Sequence, residues 1–442
     1  MGRFRPNRVE LPRYESGVAG LPARAMAFTN SEVGTTDCSL RWWFSYGCRL
    51  GGEKSSAMYF GSLMHEVLED IFSFWRDNHG EEYLPSYLLE RRDKSRGILQ
   101  MIYERELFDT ADADEDAVTT LIERLKDCAE GYLRVYGKCI DMRVLAVETS
   151  TAMPVVDPTT GKILKSQVPV VESQHGWRLA LPGEPHKLVS LPWYKVGRLD
   201  AVVMDDNGDL WIWEFKTSKS ATTYGKNLAL DTQLPGYALS LEARYKHAQE
   251  NEGGGIFPPE CTGRVAGYIW DVLGSNEHKR PKRLKSGLLS TAENRVPSWI
   301  WLDTMLKEQA NRDQYKDEHW EKLCAMQANN AIKVDTMLYH RSWGSFTQED
   351  LHRYAMELHA KARMIAAMRR AVARGGLTAP EVAADFPRTP VCRLPGGYCN
   401  FTSICINDSP EGRQSFTQNI PTHWPSESVP VPTHDEEDEW AI

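Results

Sequence analysis

Two mostly apolar runs, Tyr194 to Met204 and Leu210 to Lys216, flank the polar stretch Asp205-Asp206-Asn207-Gly208-Asp209. Strand-forming residues on either side of an Asn-Gly turn predict a β-hairpin. This hairpin constrains the chain more than any other feature, because Asp200, Glu214 and Lys216 sit inside strands otherwise rich in Val, Ile and Trp. Alternation puts Leu210, Ile212, Glu214 and Lys216 on one face of the second strand, and Trp211, Trp213 and Phe215 on the other. A Glu-x-Lys triplet alone reads as a solvated strand edge. Carboxylates embedded in Val196-Gly197-Arg198-Leu199-Asp200-Ala201-Val202-Val203 and Trp211-Ile212-Trp213-Glu214-Phe215 need a metal or a cationic partner instead, since an unpaired buried charge is costly. Register then matters. A two-residue Asn207-Gly208 turn sets Asp200 opposite Phe215, whereas a three-residue loop, Asp206-Asn207-Gly208, sets it opposite Glu214 on the same face. A shared site requires the longer loop, with positive φ at Gly208 and not at Asn207.

Around the hairpin the pattern alternates helices and strands. A helix is expected from Ser31 through Cys38, Trp42, Trp43 and Tyr46, capped by Ser31. A second, from about Ser62 to Trp75, carries Met64, Val67, Leu68, Ile71, Phe72 and Trp75 at core-facing spacing, with His65 and Glu69 beside the stripe. Further helices fall between Tyr83 and Tyr136, followed by a short strand Arg143 to Glu148, a helix from about Leu228 to Tyr245, and a strand Val265 to Val272. Helical patterns return at 297–327 and 348–374. The expected layout is an extended lead-in over 1–30, a core over 31–274 with a helical insertion at about 80–140, and a basic and helical elaboration over 275–390. A cysteine-rich segment over 391–406 and a disordered acidic tail over 407–442 complete it. With 442 residues, 41% of them hydrophobic, the chain has enough apolar material for a sizeable core. Neither a membrane-length apolar run nor a signal-peptide core stands out, so a cytoplasmic setting is expected, the host cytoplasm if the chain is phage-encoded. The net charge of −9 argues against bulk coating of nucleic acid but leaves room for a locally basic cleft.

Phosphodiester hydrolysis at neutral pH needs a hard cation held by carboxylate and carbonyl oxygens. Asp200 and Glu214 supply the carboxylates, the Phe215 backbone carbonyl a further ligand, and the Lys216 ammonium a donor to water or to the transition state. Four pieces of text occur in one order: Gly61-x-x-x-His65-x-x-Leu68-Glu69, Gly197-Arg198-Leu199-Asp200, Glu214-Phe215-Lys216-Thr217 and Gln233-x-x-x-Tyr237. Together they resemble the RecB-like branch of the PD-(D/E)XK nucleases, over roughly Ser31 to Val272. That resemblance implies an α/β (α+β) fold of restriction-endonuclease type, a mixed central sheet flanked by helices. It further implies a Mg2+ or Mn2+ site of His65, Asp200, Glu214 and the Phe215 carbonyl, a catalytic Lys216, and Gln233 and Tyr237 as supporting or DNA-contacting residues. A histidine beside an apolar stripe, or a Gln and Tyr one turn apart, otherwise reads as core. Glu148 reads either as an orienting acid or as a surface acid, and is not assigned to the site.

Nine cysteines in a reducing compartment point to metal before disulfides. Cys38, in the context Cys38-x-x-Arg41-Trp42-Trp43, together with Cys392, Cys399 and Cys405, resembles the iron-sulfur staple of AddB and of CRISPR-associated RecB-like exonucleases. The Cys392 to Cys399 spacing is longer than theirs. The resemblance implies a 4Fe-4S cluster joining the two ends of the domain, with zinc as the alternative and Cys48 as a reserve ligand. Lys279, Arg280, Lys282, Arg283 and Lys285 form the densest basic run and suit backbone phosphates, while Trp42, Trp43 and Tyr46 offer stacking surfaces if they are not core. The expected activity is a metal-dependent deoxyribonuclease, an exonuclease acting on single strands or duplex ends in recombination, repair or phage DNA metabolism. The other reading is a non-catalytic DNA-binding or scaffold protein that keeps the fold. No G-x-x-x-x-G-K-[ST] loop is present, so unwinding falls to a helicase or recombination partner.

Overall fold

The computed structural model describes residues 25–47, 50–51, 56–79, 81–108, 114–137, 142–173, 176–179, 185–218, 221, 233–250, 255–274, 284–291, 299–333, 338–374, 386, 393–394, 397–399, 401, 405 and 417–418. Its contacts group into two compact units: Met1–Glu53 with Ser150–Gly197 and Thr347–Ile442, and Lys54–Thr149 with Arg198–Phe346. The architecture is mixed α/β. Eight strands are hydrogen-bonded into one sheet flanked by helices: β1 (Met26–Phe28), β2 (Arg143–Pro154), β3 (Lys165–Ser173), β4 (Gly176–Leu179), β5 (Lys187–Met204), β6 (Leu210–Ser218), β7 (Val265–Gly274) and β8 (Tyr339–Ser345). Their order is β4-β3-β5-β6-β7-β8, with β1 and β2 also paired to β5. The β6–β7 pair is parallel, β5–β6 and β7–β8 antiparallel. This is the expected restriction-endonuclease-like class of sheet.

In the second unit the long helix α1 (Ser56–Asp77) extends the expected helix at both ends. It buries Phe60, Leu63, Met64, Val67, Leu68, Ile71, Phe72 and Trp75. Phe72 meets the rings of Trp213 and Phe215 edge-on, both at 4.8 Å between centroids. Burial of each such side chain contributes roughly 1.5–3 kcal/mol, which fixes α1 against β6. Helices α2 (Ile98–Phe108) and α3 (Glu115–Tyr136) complete this layer, the latter capped by the Asp114 carboxylate, which accepts from the Asp116 N–H. Helix α4 (Gln233–Glu250) is the crossover between parallel β6 and β7, with Pro235 in its first turn, where no intrahelical N–H is needed. Ile300, from helix α5 (Trp299–Lys307), and Tyr339 join the same core.

In the first unit the single helix expected from Ser31 to Tyr46 is broken. It begins one residue earlier, capped by Thr29, and runs only over Asn30–Thr35, followed by Ser39–Trp42 and a π-helical turn Trp43–Gly47. Thr35 and Thr36 explain the break: their hydroxyls donate back to the Glu32 and Val33 carbonyls at 2.7 Å, competing with helical bonding. Trp42 and Trp43 are buried against Phe386, so they are core residues and not a stacking surface for bases. The Glu32 carboxylate accepts from the Trp42 indole at 3.1 Å and from Arg369 of helix α6 (Gln348–Arg374) at 2.7 Å. The strand expected to end at Glu148 continues to Pro154, and that expected to start at Tyr194 starts at Lys187.

Candidate active site

The β5–β6 loop decides which side chains can meet. The ladder pairs Met204 with Leu210 and Ala201 with Trp213, and one further step sets Asp200 opposite Glu214. The Asp205 N–H bonds to the Asp209 carbonyl at 3.0 Å, Gly208 has φ of 81°, and Asn207 is not among the residues with positive φ. The three-residue loop therefore forms as the shared site requires. The Asp205 carboxylate supports it by accepting from the N–H groups of Asn207 and Asp209.

Asp200 is buried, and its Oδ2 accepts from the Phe215 N–H at 2.7 Å. Its Oδ1 lies 3.6 Å from Nδ1 of His65, delivered by α1. Close packing of α1 on the strand explains Gly61 one turn earlier, since a Cβ there would lie 2.5 Å from the Thr217 hydroxyl. Burial opposes ionisation of Asp200, but His65, Lys216 and the Phe215 N–H outweigh it and lower its pKa. For His65, burial disfavours the imidazolium while Asp200 overcomes this and raises the pKa.

Glu214 is almost fully buried, and burial followed by the charge of Asp200 pushes its pKa up. Its Oε1 is bonded by the Lys216 ammonium and by Gln233 Nε2, the latter at 3.0 Å. Its Oε2 is buried with no hydrogen-bond partner among the described residues. Burial disfavours the Lys216 ammonium, yet Glu214 and Asp200 hold it charged, with a pKa above the ordinary lysine value. Gln233 Nε2 also lies 2.6 Å from the Tyr237 hydroxyl, so the first turn of α4 closes over Glu214.

Glu148 completes the cluster. Ligand atoms of His65, Glu148 and Asp200 lie within 4.8 Å of one another, the one such group among the described residues. Glu148 sits in β2 with φ of 46°, a left-handed conformation rare for a residue with a side chain. Arg198 Nε reaches its Oε2 at 2.5 Å and its carbonyl at 3.2 Å. Burial, and then the charge of Asp200, raise its pKa to about 7, with Arg198 acting in the opposite direction.

A family model of the PD-(D/E)XK nuclease superfamily matches residues 34–406. The chain belongs to this superfamily. No curated protein matches it.

PD-(D/E)XK nucleases use divalent metals, and the residues here fit one. His65, Glu148 and Asp200 stand at single-ion spacing, and Glu214, in charge contact with Asp200 and His65, has a buried carboxylate oxygen, Oε2, without a partner among the described residues. Of the sequence candidates, His65, Asp200, Glu214, Lys216, Gln233 and Tyr237 converge. Glu148, which the sequence leaves unassigned between an orienting and a surface role, stands in the cluster, and its partner Arg198 carries no expected role beyond its place in the Gly197-Arg198-Leu199-Asp200 motif. Lys285 is exposed on a described segment, while Lys279, Arg280, Lys282 and Arg283 lie outside the described residues. So do Cys392 and Cys48. Cys38, Cys399 and Cys405 are described and belong to the first unit, and no three cysteines among the described residues stand at single-ion spacing. No helix among the described residues is long and apolar enough to cross a membrane.

Proposed function

We propose that this PD-(D/E)XK protein is a Mg2+- or Mn2+-dependent deoxyribonuclease, an exonuclease acting at duplex ends or on single strands in recombination, repair or phage DNA metabolism. The observation that carries the reading is the meeting of His65, Glu148 and Asp200 at single-ion spacing, while Glu214, in charge contact with Asp200 and His65, keeps one buried oxygen unbonded among the described residues. His65, Glu148, Asp200, Glu214 and the Phe215 carbonyl would hold a divalent ion, which when bound would supply charge neutralisation at the phosphate and activation of water. The protein's own groups do the rest. The Phe215 N–H fixes Oδ2 of Asp200 and leaves Oδ1 turned toward His65. Gln233 and Lys216 occupy one oxygen of Glu214 and leave the other for the ion. Lys216 stays protonated at neutral pH, so it acts as a donor, orienting water or stabilising charge on the phosphoryl oxygens, rather than as a base.

The test is digestion of end-labelled single- and double-stranded DNA with and without Mn2+. Lys216→Ala is expected to lower cleavage by about a thousandfold while Mn2+ affinity and melting temperature hold. Asp200→Ala is expected to weaken Mn2+ binding in calorimetry. Wild-type turnover in Lys216→Ala would overturn the assignment, and metal binding without cleavage by the wild type would favour a scaffold that has kept the fold.

The 4Fe-4S reading for Cys38, Cys392, Cys399 and Cys405 is part of the same proposal. It rests on the early-plus-late cysteine arrangement in the sequence; the Phe44 and Phe401 rings meet at 5.6 Å, a contact of aromatic side chains and not of the cysteines themselves. Iron, sulfide and zinc contents of anaerobically purified protein separate the cluster from the zinc alternative.

A further inference from the structure

A groove of about 520 Å³ runs between helix α6 and the start of β3, lined by Leu164, Lys165, Ser166, Ala360, Arg363, Met364, Ala366, Ala367 and Arg370. All of these belong to the first unit. Its chemistry is one-sided: three cations, a floor of small and apolar side chains, and no acid, in a chain whose net charge is −9. The other described cations of α6 behave differently. Arg353 pairs with Asp350, Lys361 with Asp37, and Arg369 with Glu32. Arg363, Arg370 and Lys165 have no ion pair among the described residues, and all three are exposed. Arg363 and Arg370 are seven residues apart on one helix, two turns, so their guanidinium groups stand about 10 Å apart along the axis.

We infer that this groove binds the sugar–phosphate backbone of a DNA single strand, through Lys165, Arg363 and Arg370. Two arginines two turns apart reach separate phosphates, and Lys165 approaches from the facing strand. Leu164, Met364 and Ala367 offer apolar contact to deoxyribose. No aromatic side chain lines the groove, so it has no platform for base stacking and reads no sequence. The inference rests on DNA being the substrate of the proposed nuclease.

Fluorescence anisotropy of a labelled oligonucleotide in EDTA tests it, because binding is read without cleavage. Arg363→Glu/Arg370→Glu is compared with wild type and with Lys307→Glu/Lys322→Glu, which makes the same charge change at two exposed lysines elsewhere. The groove variant is expected to bind about tenfold or more weaker than this control near 0.1 M salt. Its log Kd against log salt slope is expected to fall by about 1.4, the loss of two single-strand phosphate contacts. Lys165→Glu provides an independent arm with a smaller loss, and circular dichroism checks folding of each. Groove variants with the affinity and slope of the control overturn the inference while wild-type binding and cleavage persist. Wild-type protein that binds no DNA fails the functional reading itself. Unchanged DNA binding together with groove-dependent binding of a peptide covering residues 435–442, Asp-Glu-Glu-Asp-Glu-Trp-Ala-Ile, gives the groove to the chain's own acidic segment and also overturns it.

Discussion

Glu148 is one of three groups through which pH should act on this site, beside Glu214, whose pKa burial and Asp200 push up to about 8, and His65, where Asp200 outweighs burial and raises the pKa. The folded pKa of Glu148, about 7, lies above the ordinary 4.5, chiefly because burial and the nearby Asp200 disfavour its charge. A raised folded pKa means that the protonated form stabilises the fold. That contribution is complete below about pH 4.5 and is lost as pH rises through about 7. An ion needs the carboxylate, so below pH 7 binding must displace this proton as well as those on Glu214 and His65, and Glu148 alone is expected to contribute about tenfold per pH unit to the fall in Mn2+ affinity there. Calorimetry across pH 5.5–8 checks this: Glu148→Gln should bind Mn2+ more weakly at pH 8 and show a flatter dependence, and an unchanged profile removes Glu148 from the ligand set. That Asp200, Glu214 and Lys216 share a face could be read from the hairpin, whereas His65, Gln233 and Tyr237 were legible only through the family resemblance, their own spacing fitting core positions equally well. Glu148 could be read in neither way. What makes it part of the site is a left-handed backbone within a strand, and nothing marks an acid, rather than a glycine, as the residue that adopts it.

At the scale of elements, the β5–β6 loop shows how a functional demand can settle a local ambiguity. Asn207-Gly208 by itself favours a tight two-residue turn, which would separate Asp200 from Glu214; the observed loop is one residue longer, and Gly208 carries the strain-free positive φ it needs. A Cβ on Gly208 would lie 2.2 Å from the Glu260 carbonyl oxygen, so Gly208→Ala meets both an unfavourable φ and a backbone clash. The expected cost is about 2 kcal/mol or more by urea denaturation, with weaker Mn2+ binding as Asp200 moves relative to Glu214. Asn207→Ala should cost far less, because its N–H bond to Asp205 is made by backbone and survives the substitution. Equal losses in the two variants would mean that the loop does not set the register. The α1 helix was legible for a related reason, its apolar spacing being long and regular. The broken helix before Gly47 was not, since Thr35 and Thr36 act through hydroxyl bonds to the backbone that leave the apolar spacing intact.

On the scale of the whole molecule, the chain contributes separated segments to each unit, and each unit buries an ion pair between residues far apart in sequence. Glu32 with Arg369 serves the first unit, and Asp271 with Arg341 the second. No local pattern announces such pairings, because they depend on which segments return to one core. Asp271 is the more enclosed case. Its Oδ2 accepts from the Tyr132 hydroxyl at 2.7 Å, the Trp213 indole at 2.9 Å and Arg341 at 2.7 Å, and its Oδ1 from Arg341 at 2.6 Å. The guanidinium in turn lies 3.7 Å from the Tyr136 ring centroid. Both carboxylate oxygens are thereby hydrogen-bonded away from water, which is the condition for a buried ion pair to be tolerated. Removing one member is a different matter from never having built the pair. Arg341→Met leaves Asp271 charged and enclosed and is expected to cost about 3–5 kcal/mol, whereas Asp271→Asn/Arg341→Met removes the stranded charge and should recover more than about 1 kcal/mol of that loss. Denaturation of both variants and of Asp271→Asn alone closes the cycle. Because Asp271 stands opposite Phe215 in the β6–β7 ladder and an amide oxygen at that position can still accept from the Trp213 indole, the double variant should regain Mn2+ affinity along with stability. If stability returned without metal binding, Asp271 would be aligning the catalytic strand as well as satisfying the core.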